Sequence, residues 1–230
     1  FFLYGSLAVV FGRLFFPPGH ETAGLLAALA VFGAGWVVRP LGALVFGRIG
    51  DRVGRRRAFL ITIVLMGFST VAIGLLPTYA QVGLLAPALL VTLRLLQGLA
   101  VGGEFGGAAT YVAEHSAPHR RGLNTSLVMG TGTIGLLLAL LAIAVTRGVL
   151  GEQAFEQWGW RLPFLASVLL LALSVYMRLH LAESPAFEKL QREGQVAHAP
   201  LREAFGKREH VKAMLLALVT LTAAQGVVWN

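Results

Sequence analysis

The chain of 230 residues is 56% hydrophobic and only 13% charged, with mean hydropathy +0.72 and a formal net charge of +8. Soluble domains run near a quarter charged, so a water-exposed globular fold is disfavoured. With no cysteine there is no disulfide framework, thiolate metal site or cysteine nucleophile. The positive charge does not indicate nucleic acid, because the basic residues lie between apolar runs and not on one polar face.

In chain order, the apolar runs predict helices over 1–16, 23–47, 58–76, 84–113, 123–146, 161–181 and 211–230. Several carry almost no charge over about 20 residues, the length that crosses the hydrocarbon core. Lipid admits only helices or closed barrels, and barrel strands would be shorter and would alternate polar with apolar. The first run leads from Phe1 through Phe16 into Pro17-Pro18, without the basic leader and small-residue cleavage site of a signal peptide. The first and last spans are expected to be truncated.

Basic residues are retained on the cytoplasmic side of a membrane, and here they fall in alternate connections. Arg48, Arg52, Arg55, Arg56 and Arg57 follow the second helix, Arg120 and Arg121 the fourth. Arg178, Lys189, Arg192, Arg202, Lys207, Arg208 and Lys212 surround the stretch after the sixth. The connections at 17–22, 77–83 and 147–160 hold only Arg147. The segment preceding Phe1 and the polar stretch from Glu183 to His210, which has the composition for a short surface helix, are therefore expected in the cytoplasm. The expected organisation is a six-helix transmembrane bundle over 1–181, a cytoplasmic linker over 182–210 and the start of a second bundle over 211–230. That layout suits a transporter built of two six-helix halves, of which this chain would be one half and a remnant of the other.

Between the second and third helices runs Gly47-Arg48-Ile49-Gly50-Asp51-Arg52-Val53-Gly54-Arg55-Arg56-Arg57. Its glycines permit a tight turn, and Asp51 sits among arginines at a helix end; a plain basic loop needs neither. The stretch resembles the signature loop of the major facilitator superfamily, G-x-x-x-D-R-x-G-R-R, at every fixed position. Val38-Arg39-Pro40-Leu41-Gly42-Ala43 and Arg94-Leu95-Leu96-Gln97-Gly98-Leu99-Ala100-Val101-Gly102-Gly103-Glu104 look like the metabolite:proton symporter family within it. Gly159-Trp160-Arg161 and Glu183-Ser184-Pro185 are similar to markers shared with sugar porters. The resemblance implies an all-α transmembrane fold and alternating-access transport of dicarboxylates, citrate, shikimate, or proline and betaine, with the proton as coupling ion and no other cofactor. It also implies a bacterial inner-membrane location. A facilitator or proton antiporter of the same fold is the alternative.

In physical terms, Arg39 lies roughly 13 Å from the predicted end of its helix at 1.5 Å per residue. A charge near the bilayer centre costs about 2.5 to 3.5 kcal/mol on the insertion scale, so it should face a cavity or a partner. On the fourth helix, with Arg94 at 0°, Gln97 falls near −60° and Glu104 near −80°, one broad polar face. Gly98, Gly102 and Gly106 form an adjacent strip suited to close helix packing. Arg39 and Arg94 have the forked geometry that binds a substrate carboxylate, or else make structural ion pairs. Glu104 carries the coupled proton, neutralises an arginine, or contacts substrate directly, and the residue types leave the three open. Tyr4 and Gln225 are further candidates for a central cavity.

At the cytoplasmic ends, Glu114, Arg120, Arg121 and Glu183 are positioned by sequence to pair with Arg55 and Arg56, alongside Asp51 and Arg52. Similar clusters in the superfamily latch the two halves. Gly130-Thr131-Gly132-Thr133-Ile134-Gly135 matches a dinucleotide fingerprint, but it sits inside an apolar span where no βαβ unit fits, so small-residue helix packing is expected. His115 and His119 are four apart, yet Pro118 and the neighbouring arginines argue against zinc, and no metal site is expected. An integral-membrane enzyme would need a catalytic pair or metal set at membrane depth, so no enzymatic activity is expected. The partners implied are the lipid bilayer, a small metabolite bearing a carboxylate, and the other half of the same chain.

Overall fold

The computed structural model describes residues 2–194, 205–206 and 208–229, without the side chains of 185–186, 218 and 221–229, so part of the expected 182–210 linker and the side chain of the cavity candidate Gln225 lie outside what is described. Among the described residues there are only helices and turns, with no strand. Five helical stretches are long and apolar enough to cross a bilayer: Glu21–Val53, Arg55–Leu75, Leu85–His115, Pro118–Leu150 and Arg161–Leu179.

The first predicted helix is in two pieces, α1 (Phe2–Ser6) and α2 (Ala8–Phe15). Between them Leu7 sits at φ −109°, ψ 15°. It still receives and donates backbone hydrogen bonds, from its own amide to Tyr4 at 3.0 Å and from Phe11 at 2.9 Å, so the chain kinks without opening into a loop. The second predicted helix also has a joint, between α3 (Glu21–Val37) and α4 (Arg39–Val53). Pro40 follows at once, and a proline inside a helix removes one ladder bond and crowds the carbonyl four residues back.

The signature stretch makes the tight turn its glycines permit, but the helices run much further into it than the expected ends at 47 and 58. Helix α4 runs through it to Val53, and α5 (Arg55–Leu75) begins one residue later. Arginine is a good helix former, and the whole reversal falls on Gly54, at φ 108°, a conformation open to glycine because it lacks a Cβ. A Cβ there would also collide with the Glu183 carboxylate.

A short helix α6 (Tyr79–Val82), closed by a capping box between Thr78 and Gln81, leads into α7 (Leu85–His115). After a 3-10 turn, α8 (Arg121–Leu150), α9 (Glu152–Ala154), a π turn, and α10 (Arg161–Leu179) follow. The polar segment holds α11 (Pro185–Arg192), and α12 (Arg208–Trp229) ends the described chain.

Helix α7 is the hub, packed against α3, α4, α5 and α8, while α10 lies on α5 and α2 on α3. Glycine makes the closest of these approaches possible: a Cβ on Gly98 would overlap the Gly35 carbonyl, and one on Gly102 the Arg39 carbonyl. The third member of the expected strip behaves differently. Gly106 meets nothing within 4 Å and instead lines a cavity of about 100 Å³ between α4, α5 and α7. The glycines at 130, 132 and 135 lie within α8 and likewise meet nothing within 4 Å. The packing expected of them is not made by any described residue.

At the end opposite the arginines, Phe11, Phe15, Trp160 and Phe164 interlock, with Trp160 edge-on to both Phe11 and Phe15. Arg161 closes α5 there, donating to the carbonyls of Gly74 at 2.9 Å and Leu76 at 2.7 Å. These are orphan carbonyls of a helix C-terminus, where a cation is also favoured by the helix dipole. Hydrogen bonds from a charged donor contribute about 1.5–3 kcal/mol. Arg161→Ala is therefore expected to lower the thermal midpoint of the intact protein in detergent, read by intrinsic fluorescence, while Arg161→Lys recovers part of the loss.

Candidate functional site at mid-span

Arg94 sits in the interior of the bundle with no solvent exposure, and the groups that surround it explain how a charge is held there. Its guanidinium carbon lies 4.3 Å from the Tyr4 ring centroid and 5.2 Å from that of Phe32. One guanidinium nitrogen donates to Gln97 Oε1 at 2.5 Å. Gln97 in turn donates to Thr70 Oγ1 at 2.8 Å, and Thr70 to the Met66 carbonyl at 2.7 Å. Tyr4 is fixed by its hydroxyl, which donates to the Ala28 carbonyl at 3.1 Å, and its ring stacks with Phe32 at 6.2 Å and 4°. A cation over aromatic faces is stabilised by the ring quadrupoles, more so where water is excluded.

Arg39 opens α4 at mid-span, about 27 Å along the helix from Glu21 and about 21 Å from Val53 at 1.5 Å per residue. Its guanidinium carbon lies 3.6 Å from the Trp36 ring centroid, and Trp36 contacts Phe32 at 6.4 Å between centroids. The aromatic rings thus form a continuous wall from Arg94 through Phe32 and Trp36 to Arg39. Phe32, Trp36 and Thr70 were not among the sequence candidates, although Phe32, Trp36 and Arg39 fall at i, i+4 and i+7, one face of a helix.

Glu104 is elsewhere. It shares a helical face with Arg94 and Gln97, but ten residues separate it from Arg94, about 15 Å along the axis, and it is ion-paired with Arg178 of α10. Arg178 also donates to the Phe59 carbonyl at 3.5 Å and lies over the Phe59 ring at 5.0 Å. Both charged side chains are about four-fifths buried, at 19% and 23% exposure.

At the arginine-rich end, Arg55 pairs with Asp51 at 2.7 Å and with Glu114 at 3.6 Å. Glu183 does not pair with the arginine side chains as the sequence suggests. Its carboxylate accepts from the backbone amides of Arg55 at 2.8 Å and Arg56 at 3.2 Å, capping the N-terminus of α5, where negative charge meets unsatisfied N–H groups. The buried Ser184 donates to Glu114 at 2.5 Å, Arg56 donates to the Leu179 carbonyl, and Tyr111 donates to the Ala182 carbonyl at 3.1 Å. The connection between α10 and α11 is thereby tied to the ends of α5 and α7. Arg52 is exposed near the end of α4. Arg120 and Arg121 are exposed at the start of α8 and form no ion pair among the described residues. Ser184 stood in the sequence only as part of a family marker and its tying role was missed, although a serine before a proline at a helix start is a capping signal. No group of three or more His, Cys, Asp or Glu side chains suited to a metal ion occurs among the described residues.

The chain is similar along most of its length to bacterial transport proteins. It is 41% identical over 224 residues to an inner membrane metabolite transport protein of Escherichia coli, covering 97% of this chain and 50% of that one. It is 43% identical over 192 residues to the shikimate transporter of Escherichia coli, covering 83% and 44%. It is 40% identical over 189 residues to the proline/betaine transporter of Salmonella typhimurium, covering 82% and 38%. The chain therefore spans about half the length, or less, of these curated relatives. Among solved structures, a proton:xylose symporter bound to 6-bromo-6-deoxy-D-glucose superposes with TM-score 0.71 at 20% identity, over 92% of this chain and 48% of that one. The inward-open form of the xylose transporter from Escherichia coli superposes with TM-score 0.62, over 96% and 53%. The sequence model of the Major Facilitator Superfamily matches residues 18–229, and with its apolar helices and its fold the chain belongs to that superfamily as a multi-pass membrane protein.

Proposed function

We propose that the chain forms one wall of a secondary active transporter of the bacterial inner membrane. In this reading it couples proton influx to the uptake of a small organic acid or zwitterionic metabolite by alternating access. The observation that carries the reading is the pair of guanidinium groups at mid-span, Arg94 and Arg39, each held against an aromatic face. Forked donors of this kind match a carboxylate, and transporters of this architecture bind substrate near the midplane between repeats. The names of the relatives, which transport shikimate and proline or betaine, and the proton:xylose symport of the structural neighbour agree with the substrate size and the coupling ion. Neither a cofactor nor covalent chemistry is part of this function, and the chain is not an enzyme in this reading. Residues 1–181 form the first bundle, 182–210 a cytoplasmic linker and 211–230 the beginning of the second bundle.

The geometry favours an ion-pair role for Glu104 over a proton-carrying one. The Glu104 carboxylate is already engaged by Arg178, and breaking that pair would leave a guanidinium that is about four-fifths buried without its partner. The arginine-rich end, with Asp51, Arg55, Glu114 and Glu183, serves in this reading as the cytoplasmic gating network. Here the capped end of α5 fixes the linker's departure point.

Three results test these assignments in the full-length protein in proteoliposomes. Arg39→Ala and Arg94→Ala are expected to reduce uptake of the transported metabolite by at least about tenfold, the loss of one charged hydrogen bond, with normal membrane insertion; wild-type uptake in either removes that residue from the site. Glu104→Gln is expected to depress proton-driven uptake and substrate exchange to the same extent, whereas selective loss of the proton-driven mode would make Glu104 the carrier. Glu183→Ala, measured by protease accessibility of the linker, is expected to increase cleavage near residues 182–194, and an unchanged cleavage pattern would show that the cap does not fix it.

A further inference from the structure

Arg39 is anchored at its backbone and at its side chain by different neighbours. Its carbonyl is pressed against Gly102 of α7 so closely that no Cβ fits between them. Its guanidinium lies over the indole of Trp36, 3.6 Å from the ring centroid, across the joint at Val38. The backbone position is thus set by α7, while the charged group rests on a residue three positions earlier on α3. Trp36 is itself supported by Phe32, whose ring also faces Arg94.

Stacking engages the face of a guanidinium, and its N–H bonds lie in the plane of that face, pointing to the rim. With its carbon 3.6 Å from the ring centroid the guanidinium is at stacking distance from the indole, and a stacked guanidinium presents its edge, where two parallel N–H bonds meet the two oxygens of a carboxylate. Tryptophan is the strongest of the aromatic platforms for a cation, and it loses little conformational freedom in acting as one. A lone arginine at the same position would sample several rotamers and would lose that freedom on binding.

We propose that Trp36 is a positioning residue for substrate recognition. It holds Arg39 edge-first for a two-oxygen anion, so it selects carboxylates over neutral or single-point ligands. The inference rests on the reading of Arg39 as a substrate ligand and adds to it a residue that need not touch the substrate. It also explains the side chain itself: Trp36 is 47% exposed in this chain, so the bundle's packing alone does not require an indole there.

The test uses the full-length protein in proteoliposomes with an inward proton gradient, and labelled shikimate, proline and glycine betaine as probes. The probe taken up fastest is then followed in the variants. Trp36→Leu is expected to raise KM about 3- to 30-fold, the range from an exposed to a desolvated cation–π contact, with kcat within about twofold of wild type. Trp36→Phe, which keeps an aromatic face, is expected to recover most of that loss. In an Arg39→Ala background, Trp36→Leu is expected to change KM no further, because both substitutions remove one interaction. Three outcomes overturn the proposal while leaving Arg39 in the site: an unchanged KM in Trp36→Leu, equal losses in the Leu and Phe variants, or additive effects in the double variant. Unaltered KM in Arg39→Ala instead removes the underlying reading of the site and the proposal with it.

Discussion

A guanidinium group in the middle of an apolar bundle must be solvated by the protein, because the lipid around it offers nothing. Much of the arrangement around α7 follows from that requirement at Arg94. The face of Tyr4, the face of Phe32 and the amide of Gln97 take the place of water, and Thr70 completes the chain of polar groups back to the α5 backbone. These groups come from α1, α3, α5 and α7, so four helices have to meet at one level for the charge to be accommodated. The glycines of α7 and α3 allow that meeting. Without the contact between Gly98 and Gly35, α3 would stand off from α7 and Phe32 would not reach Arg94.

The two ends of the bundle are finished differently. At one, aromatic rings interlock and Arg161 ties off α5 through its last carbonyls. At the other, charges dominate, and a carboxylate from a later segment ties off the same helix through its first amides. Helix α5 thus carries a cation at its C-terminus and an anion at its N-terminus, the arrangement its dipole favours. Gly54 permits the second of these contacts, both by its positive φ and by the absence of a Cβ in the path of Glu183.

Much of this was legible in the residues. Apolar runs located the five long helices because bilayer thickness imposes their length, although the second runs six residues past its expected end, to Val53, and the mid-span depth of Arg39 and Arg94 singled them out energetically. The partners of Glu104 were not legible for a geometric reason. A helical wheel places Glu104 beside Arg94 but carries no axial coordinate, and its partner Arg178 sits on α10, whose approach to α7 no local pattern encodes. The role of Glu183 was hidden in another way: its acceptor sites are met by backbone amides, which every sequence contains, and only the turn at Gly54 exposes them. Phe32 and Trp36 carried a readable signal in their spacing from Arg39, but aromatic residues in an apolar helix pass for lipid-facing bulk.

The central claim is that the mid-span arginines bind a substrate that moves together with a proton. The most direct measurement is of proton movement itself: external pH recorded as the transported carboxylate is added to proteoliposomes holding the full-length protein, with no gradient imposed. The account predicts transient external alkalinisation with wild type and none with Arg94→Ala. Substrate entry with no accompanying pH change, or an undiminished pH signal in Arg94→Ala, would contradict it.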